Sequence, residues 1–105
     1  MIFRRKSRFD DVIQRQLDLF EHEHLDVIEE VVDRMEAYNR AERDEAEELY
    51  GDYVDAVETG TELLADIRDA YARLLEEGID EVYEAEFNQA VLKRWPPFAY
   101  EIDLR

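Results

Sequence analysis

The 105-residue chain lacks cysteine altogether and contains only three glycines, two prolines and two lysines. Without cysteine it has no disulfide framework, no thiolate metal site and no cysteine nucleophile. So few turn-forming residues argue against a β-sandwich or an α/β domain. No apolar run approaches the roughly 18 residues of a membrane span, and the N-terminal MIFRRKSRF lacks the apolar core of a secretory signal. We therefore expect one cytoplasmic domain over residues 1–105.

Charge of one sign dominates the sequence. It has 29 acidic and 13 basic side chains, which gives a formal net charge of −16. Self-repulsion of this size disfavours the compact state, is screened by salt, and argues against direct binding of nucleic acid. The exception is the basic N-terminal segment, residues 1–8, with Arg4, Arg5, Lys6 and Arg8. This segment is either a solubilising terminus or a contact for an acidic surface, such as the body of a neighbouring subunit.

Helical periodicity is the strongest pattern in the sequence. Apolar residues recur every three or four positions from Phe9 to Tyr38, which predicts one unbroken helix over residues 9–39. A second stripe predicts helix 2 over residues 44–77, ended by Gly78, and a third predicts helix 3 over residues 80–94. Hydrophobic residues make up 46% of the chain, which excludes a disordered acidic tail.

The charge-rich stretch 39–44 predicts the turn between the first two helices, and Gly51 and residues 59–62 are the alternative turn points. An antiparallel hairpin folded at 39–44 pairs Phe20 with Leu64 and sets His24 opposite Gly60. The third helix is too short to cover both stripes. We therefore expect an all-α fold, a long antiparallel hairpin with a shorter third helix, that completes a four-helix bundle by dimerisation.

The C-terminal residues 95–105 alternate apolar and other side chains after a double proline, which predicts an extended tail. An apolar extended segment must dock on a surface, either its own chain or a partner protein. The predicted interaction residues are Trp95, Phe98, Tyr100, Ile102 and Leu104.

Motifs for catalysis are missing from the sequence. It has no glycine-rich phosphate loop, no nucleophile elbow and no HExxH pair, and Ser7 is its only serine. The sequence therefore favours a non-catalytic protein.

One pattern points to a metal. Glu21 and His24 are three residues apart on the first predicted helix, so both project from one face. Glu-x-x-His is the spacing by which di-iron bundles direct two ligands inward, where a carboxylate bridges two cations and imidazole binds one. In the predicted hairpin Glu58 and Glu62 flank the same place. The predicted half-site is Glu21, His24, Glu58 and Glu62, completed by a two-fold partner, and its metal is iron or another divalent cation.

This arrangement resembles the short ferritin-like hairpins that assemble a di-iron centre between subunits. The resemblance implies iron binding and ferroxidase-like oxidation at Glu21, His24 and Glu62. The competing interpretation of His24 is a packed or interfacial histidine bonded to a carboxylate, or a pH-sensitive seam.

Three functional hypotheses follow from the sequence. The leading one is a small acidic, non-catalytic helical oligomerisation or interaction protein. The alternatives are a ferritin-like metal-binding bundle and an acidic mimic of nucleic acid that occupies a DNA-binding partner.

Overall fold

A computed structural model describes residues 8–105, so the predicted basic segment, apart from Arg8, lies outside the described residues. Every described element is helical, which confirms the all-α prediction. The elements are α1 (Asp10–Glu23), α2 (Leu25–Asn39), α3 (Ala46–Ala72), α4 (Ile79–Arg94), a 3-10 turn (Pro96–Phe98) and α5 (Ala99–Leu104).

The elements form two parts along the 27-residue helix α3. Helix α2 runs antiparallel to the first half of α3, and we call α2 with residues 46–57 the arm. Helices α1, α4 and α5 and the 3-10 turn surround the second half of α3, and we call these elements the body. The radius of gyration is 15.9 Å, against about 13 Å for a compact domain of this length, because the arm extends beyond the body.

The prediction of one unbroken helix over residues 9–39 is wrong. The helix breaks at His24, where ψ is 35° and α1 gives way to α2. The two halves have different partners, since the Phe20 ring packs on Trp95 at 5.3 Å while Val27 lies against Gly60 of α3. The break turns the chain from its contact with Trp95 to its contact with α3. No glycine or proline marks the break in the sequence.

The observed pairing of α2 with α3 is shifted by two to three residues from the predicted register. Gly60 faces Val27, where the sequence places His24, and Arg34 faces Asp52. His24 instead packs on the Phe20 ring, with ring centroids 5.3 Å apart. The shift follows from the turn, which spans residues 40–45 and is therefore centred slightly later than predicted.

Most of the core lies in the body, and Val31 and Val57 extend it into the arm. Helix α1 runs alongside α4 in the same direction. The backbone N–H of Phe9 donates to Glu86 Oε2 at 3.3 Å, and Arg94 donates to Asp18 Oδ1 at 2.7 Å. The Tyr83 hydroxyl donates to Gln16 Oε1 at 2.8 Å. Large side chains with under 2% exposure fill the space between these helices: Leu17, Phe20, Leu64, Tyr83, Phe87, Val91, Phe98 and Ile102.

The predicted extended tail is also wrong, because residues 96–104 are helical. Residues that alternate with a period of two also fit a helix. Every other member of the alternating set is four positions further along the chain, and residues four positions apart share one helix face. Phe98 and Ile102 are such a pair, and both face inward with 1% and 0% exposure. Tyr100 and Leu104 form the outward pair, with 74% and 66% exposure.

A buried arginine fastens α5 to the body. Arg68 is 2% exposed. Its Nη1 donates to Asn88 Oδ1 at 3.0 Å and to the carbonyl of Ile102 at 3.1 Å, and its Nε donates to Asp69 Oδ1 at 2.9 Å. A cation at the carbonyl end of a helix also suits the helix dipole. Arg68 therefore joins α3, α4 and α5 at one point.

Candidate interaction surfaces

The arm carries apolar side chains on a side that the other described helices cover only in part. Ile28, Val32 and Met35 are spaced four and three residues apart, so they share one face of α2. Val32 is 41% exposed, and the other two are partly exposed. The partly exposed Val54 of α3 lies on the same side. We call these four residues the apolar side of the arm.

The opposite side of the arm is polar. Arg34 Nε donates to Glu30 Oε1 at 2.6 Å, and Arg34 Nη1 lies 3.7 Å from Asp52 Oδ2. The hydrogen bond to Glu30, with Coulombic attraction from the same carboxylate and from Asp52, raises the pKa of Arg34. Because all three side chains are partly exposed, this ion pair adds little to stability. It nevertheless distinguishes the polar side of the arm from the apolar side.

Three tyrosines lie together where the arm ends. The ring centroids of Tyr38 and Tyr50 are 5.3 Å apart, and those of Tyr50 and Tyr53 are 6.3 Å apart. Tyr38 is 38% exposed and Tyr50 is 51% exposed. Burial, followed by the Coulombic effect of Tyr50, raises the pKa of Tyr53. We call these three residues the tyrosine tip.

The sequence patterns described above do not single out these tyrosines. The signal that identifies the cluster is the α2–α3 register, because Tyr38 lies one helical turn after Arg34 and Tyr50 lies two residues before Asp52, which Arg34 faces. Residues so placed in a helical hairpin face each other.

The predicted C-terminal interaction residues separate into two groups in the structure. Phe98 and Ile102 are buried within their own chain, and Trp95 packs on Phe20 and Phe98. These three therefore contribute to the core rather than to an external surface. Tyr100 and Leu104 are exposed, and their contact with a partner stays a prediction.

The four predicted metal ligands do not form a cluster within one chain. Glu21, Glu58 and Glu62 are exposed, and His24 is partly buried against Phe20 rather than opposite Gly60. Among residues 8–105, no three Asp, Glu or His side chains are grouped as metal ligands. A site shared between two chains, as the sequence predicts, stays a prediction.

A groove of about 560 Å³ lies between α1 and α4. Its lining mixes both charges, with Asp10 and Glu86 facing Lys93 and Arg94. Arg94 already donates to Asp18 and to Gln14 Oε1, at 2.7 and 2.6 Å. The groove is open, and its charged groups serve the packing of the two helices.

Comparisons with protein-family models, curated proteins and solved structures found no match to this chain. None of the helices in residues 8–105 combines the length and the apolar character needed to cross a bilayer. The function must therefore be argued from the surfaces described above.

Proposed function

We propose that the protein is a small acidic, non-catalytic oligomerisation protein that pairs its arm with the arm of a second copy. The observation that carries this proposal is the apolar side of the arm. Two helices alone leave part of each apolar stripe uncovered, and a second pair of helices is the usual solution. Two arms packed through Val32 and its neighbours form a four-helix arrangement.

The occupant of this surface is argued from the architecture of the chain. The body covers α3 only from about Gly60 onward, through Phe98, Arg68 and their neighbours. Ile28 packs against the edge of the core cluster, whereas Val32 is 41% exposed and Met35 is partly exposed. Because an isologous interface uses one patch on both partners, a self-complementary apolar strip satisfies it without a second surface. The net charge of −16 opposes pairing at low salt, so pairing is favoured as salt is added.

Mass in solution tests the arm pairing, by sedimentation or light scattering across a concentration series. We expect the wild-type chain to have the mass of a dimer. Val32→Glu places a carboxylate at the centre of the interface and weakens pairing by about tenfold or more. Leu74→Glu is the matched control, because Leu74 is 80% exposed and lies far from the arm. A wild-type monomer at every concentration, or equal effects of the two variants, would contradict the proposal.

The alternatives drawn from the sequence stay predictions, and each has a separate test. A ferritin-like site between subunits requires stoichiometric iron that is lost in His24→Ala, measured by metal analysis of untagged protein. Under the proposed function, the wild type and His24→Ala have the same iron content. An acidic mimic requires capture of a basic, DNA-binding protein in competition with DNA. Under the proposed function, the chain binds a second copy of itself, and DNA does not compete with that pairing.

A further inference from the structure

The tyrosine tip presents aromatic faces within a strongly acidic part of the chain. Residues 42–55 contain seven carboxylates, at positions 42, 44, 45, 47, 48, 52 and 55, and a single basic residue, Arg43. Tyr38 and Tyr50 are partly exposed and lie 5.3 Å apart. An aromatic face attracts a cation through its ring quadrupole, and the surrounding carboxylates add to that attraction. The chemistry of the tip therefore suits an arginine-rich or lysine-rich segment.

The chain itself contains one such segment. Residues 4–8 hold four of the 13 basic side chains, directly after Ile2 and Phe3. No other stretch of the sequence concentrates positive charge in this way. Arginine is also the cation that stacks best on aromatic rings while binding carboxylates with its planar donors.

The segment cannot reach the tip of its own chain. The Phe9 ring contacts Tyr71, with centroids 6.5 Å apart, so residue 9 lies near the C-terminal end of α3. Tyr50 is 21 residues earlier on the same helix, which corresponds to about 32 Å. From Phe9 the backbone spans at most about 18 Å to Arg4 and about 11 Å to Lys6, so the segment as a whole falls short of the tip even with its side chains extended. Contact between the two must join different molecules.

We propose that the tyrosine tip of one chain binds residues 4–8 of a second copy, with arginine over the faces of Tyr38 and Tyr50. This contact rests on the proposed self-association and adds a second, charged interface to the apolar one. It also neutralises part of the negative charge locally, because the basic side chains of one molecule contact the most acidic part of another. The contact weakens as salt is added, whereas the apolar pairing of the arms strengthens.

A binding titration tests the contact directly. A peptide of residues 1–8 with a fluorescent dye is titrated with the full chain, and its anisotropy is measured. We expect saturable binding. Binding should be tightest to the chain that carries Arg4→Gln, Arg5→Gln and Lys6→Gln, because the N-terminal segments of that variant do not compete with the peptide for the tyrosine tip. The corresponding Gln-substituted peptide should not bind. Absence of binding by the wild-type peptide to either chain would overturn the proposal.

Variants at the tip locate the site. Tyr50→Leu keeps an apolar side chain but removes the aromatic face, and we expect about two- to fivefold weaker binding. Glu47 lies about 60° from Tyr50 around α3, whereas Glu48 lies about 160° away. Glu47→Lys should therefore weaken binding more than its matched control Glu48→Lys, although both change the net charge equally. Unchanged affinity in both Tyr50→Leu and Glu47→Lys would overturn the assignment.

The outcomes separate this inference from the proposed function. If the peptide binds the tip but Val32→Glu lowers the mass no more than Leu74→Glu does, the arm pairing fails and the tip assignment stands. If the chain is a dimer that Val32→Glu dissociates, and tip variants leave peptide affinity unchanged, the tip assignment fails alone.

Discussion

Gly60 and Phe98 are in such close contact that the helix has no room for a side chain at position 60. A Cβ on Gly60 would lie 2.5 Å from Phe98 Cε1 and 2.7 Å from Cζ. Phe98 is 1% exposed, so its ring has little freedom to move away. The glycine in the middle of α3 therefore gives the C-terminal segment its place on the body.

Gly60→Ala should destabilise the fold. Overpacking costs about 1–3 kcal/mol, and the better helix propensity of alanine recovers up to about 1 kcal/mol. Gly51→Ala is the matched control, because it lies in the same helix with nothing within 4 Å of its would-be Cβ. That change should stabilise the chain by about 0.5–1 kcal/mol. Denaturant unfolding measures both, and equal stabilities of the two variants would contradict the packing argument.

Arg68→Ala should be among the most damaging single substitutions. It leaves the Asn88 amide oxygen and the Ile102 carbonyl without the donor that Arg68 supplies. We expect a loss of about 2–4 kcal/mol in the free energy of unfolding. Arg68→Lys keeps the charge without the planar donors and should recover only part of it. Arg73→Ala, at an exposed position five residues later, should change little. A small effect of Arg68→Ala would show that α5 docks without this contact.

Tyr83 should make stability fall in alkaline solution. Burial raises the pKa of its phenol to about 12 from the ordinary 10.0. The folded chain keeps the proton at pH values where the unfolded chain has lost it. The stabilisation is therefore complete below pH 10 and is lost progressively toward pH 12, by up to about 1.4 kcal/mol per pH unit. Unfolding free energies measured over this range should be flatter in Tyr83→Phe. The same slope in both proteins would rule out Tyr83 as the cause.

Salt should raise the unfolding temperature. With a net charge of −16, like charges repel across the folded surface. The Debye length shortens from about 30 Å at 0.01 M to about 3 Å at 1 M salt. Thermal unfolding followed by circular dichroism in a chloride salt measures the effect, since sulfate also stabilises proteins by exclusion from the surface. A flat response would contradict the self-repulsion argument.

The sequence predicts the helices well and their partners poorly. Periodicity depends only on local spacing, so the stripe from Phe9 to Tyr38 is the same whether the helix is continuous or breaks at His24. The break follows from two distant contacts, Phe20 with Trp95 and Val27 with Gly60. Local spacing contains no information on either contact.

The C-terminal segment shows a different reason why the sequence prediction fails. Alternate apolar residues fit a strand, but they also fit two opposite faces of a helix, and six residues are too few to decide between them. The inward pair Phe98 and Ile102 takes its helical form because Gly60 leaves a space for the ring and Arg68 binds the Ile102 carbonyl. Gly60 stood out in the sequence, but only as the supposed neighbour of His24.

The candidate surfaces also depend on contacts that local spacing does not show. The tyrosine tip depends on the register of α2 against α3, and the predicted register differs from the observed one by two to three residues. The short third helix predicts that part of the apolar stripe is uncovered, but the sequence alone does not place the exposed part at Val32.

The amides of the two-helix arm should be less protected from hydrogen exchange than the amides of the body. Its helices are joined by one interface, whereas amides near Phe87 and Leu64 lie inside the core. Amides of residues 32–55 should exchange through local opening, at a free energy well below that of global unfolding. Those near Phe87 should exchange only when the whole domain opens. Association through the arm would slow exchange in the arm selectively, so that mass-spectrometric exchange maps the interface without any substitution.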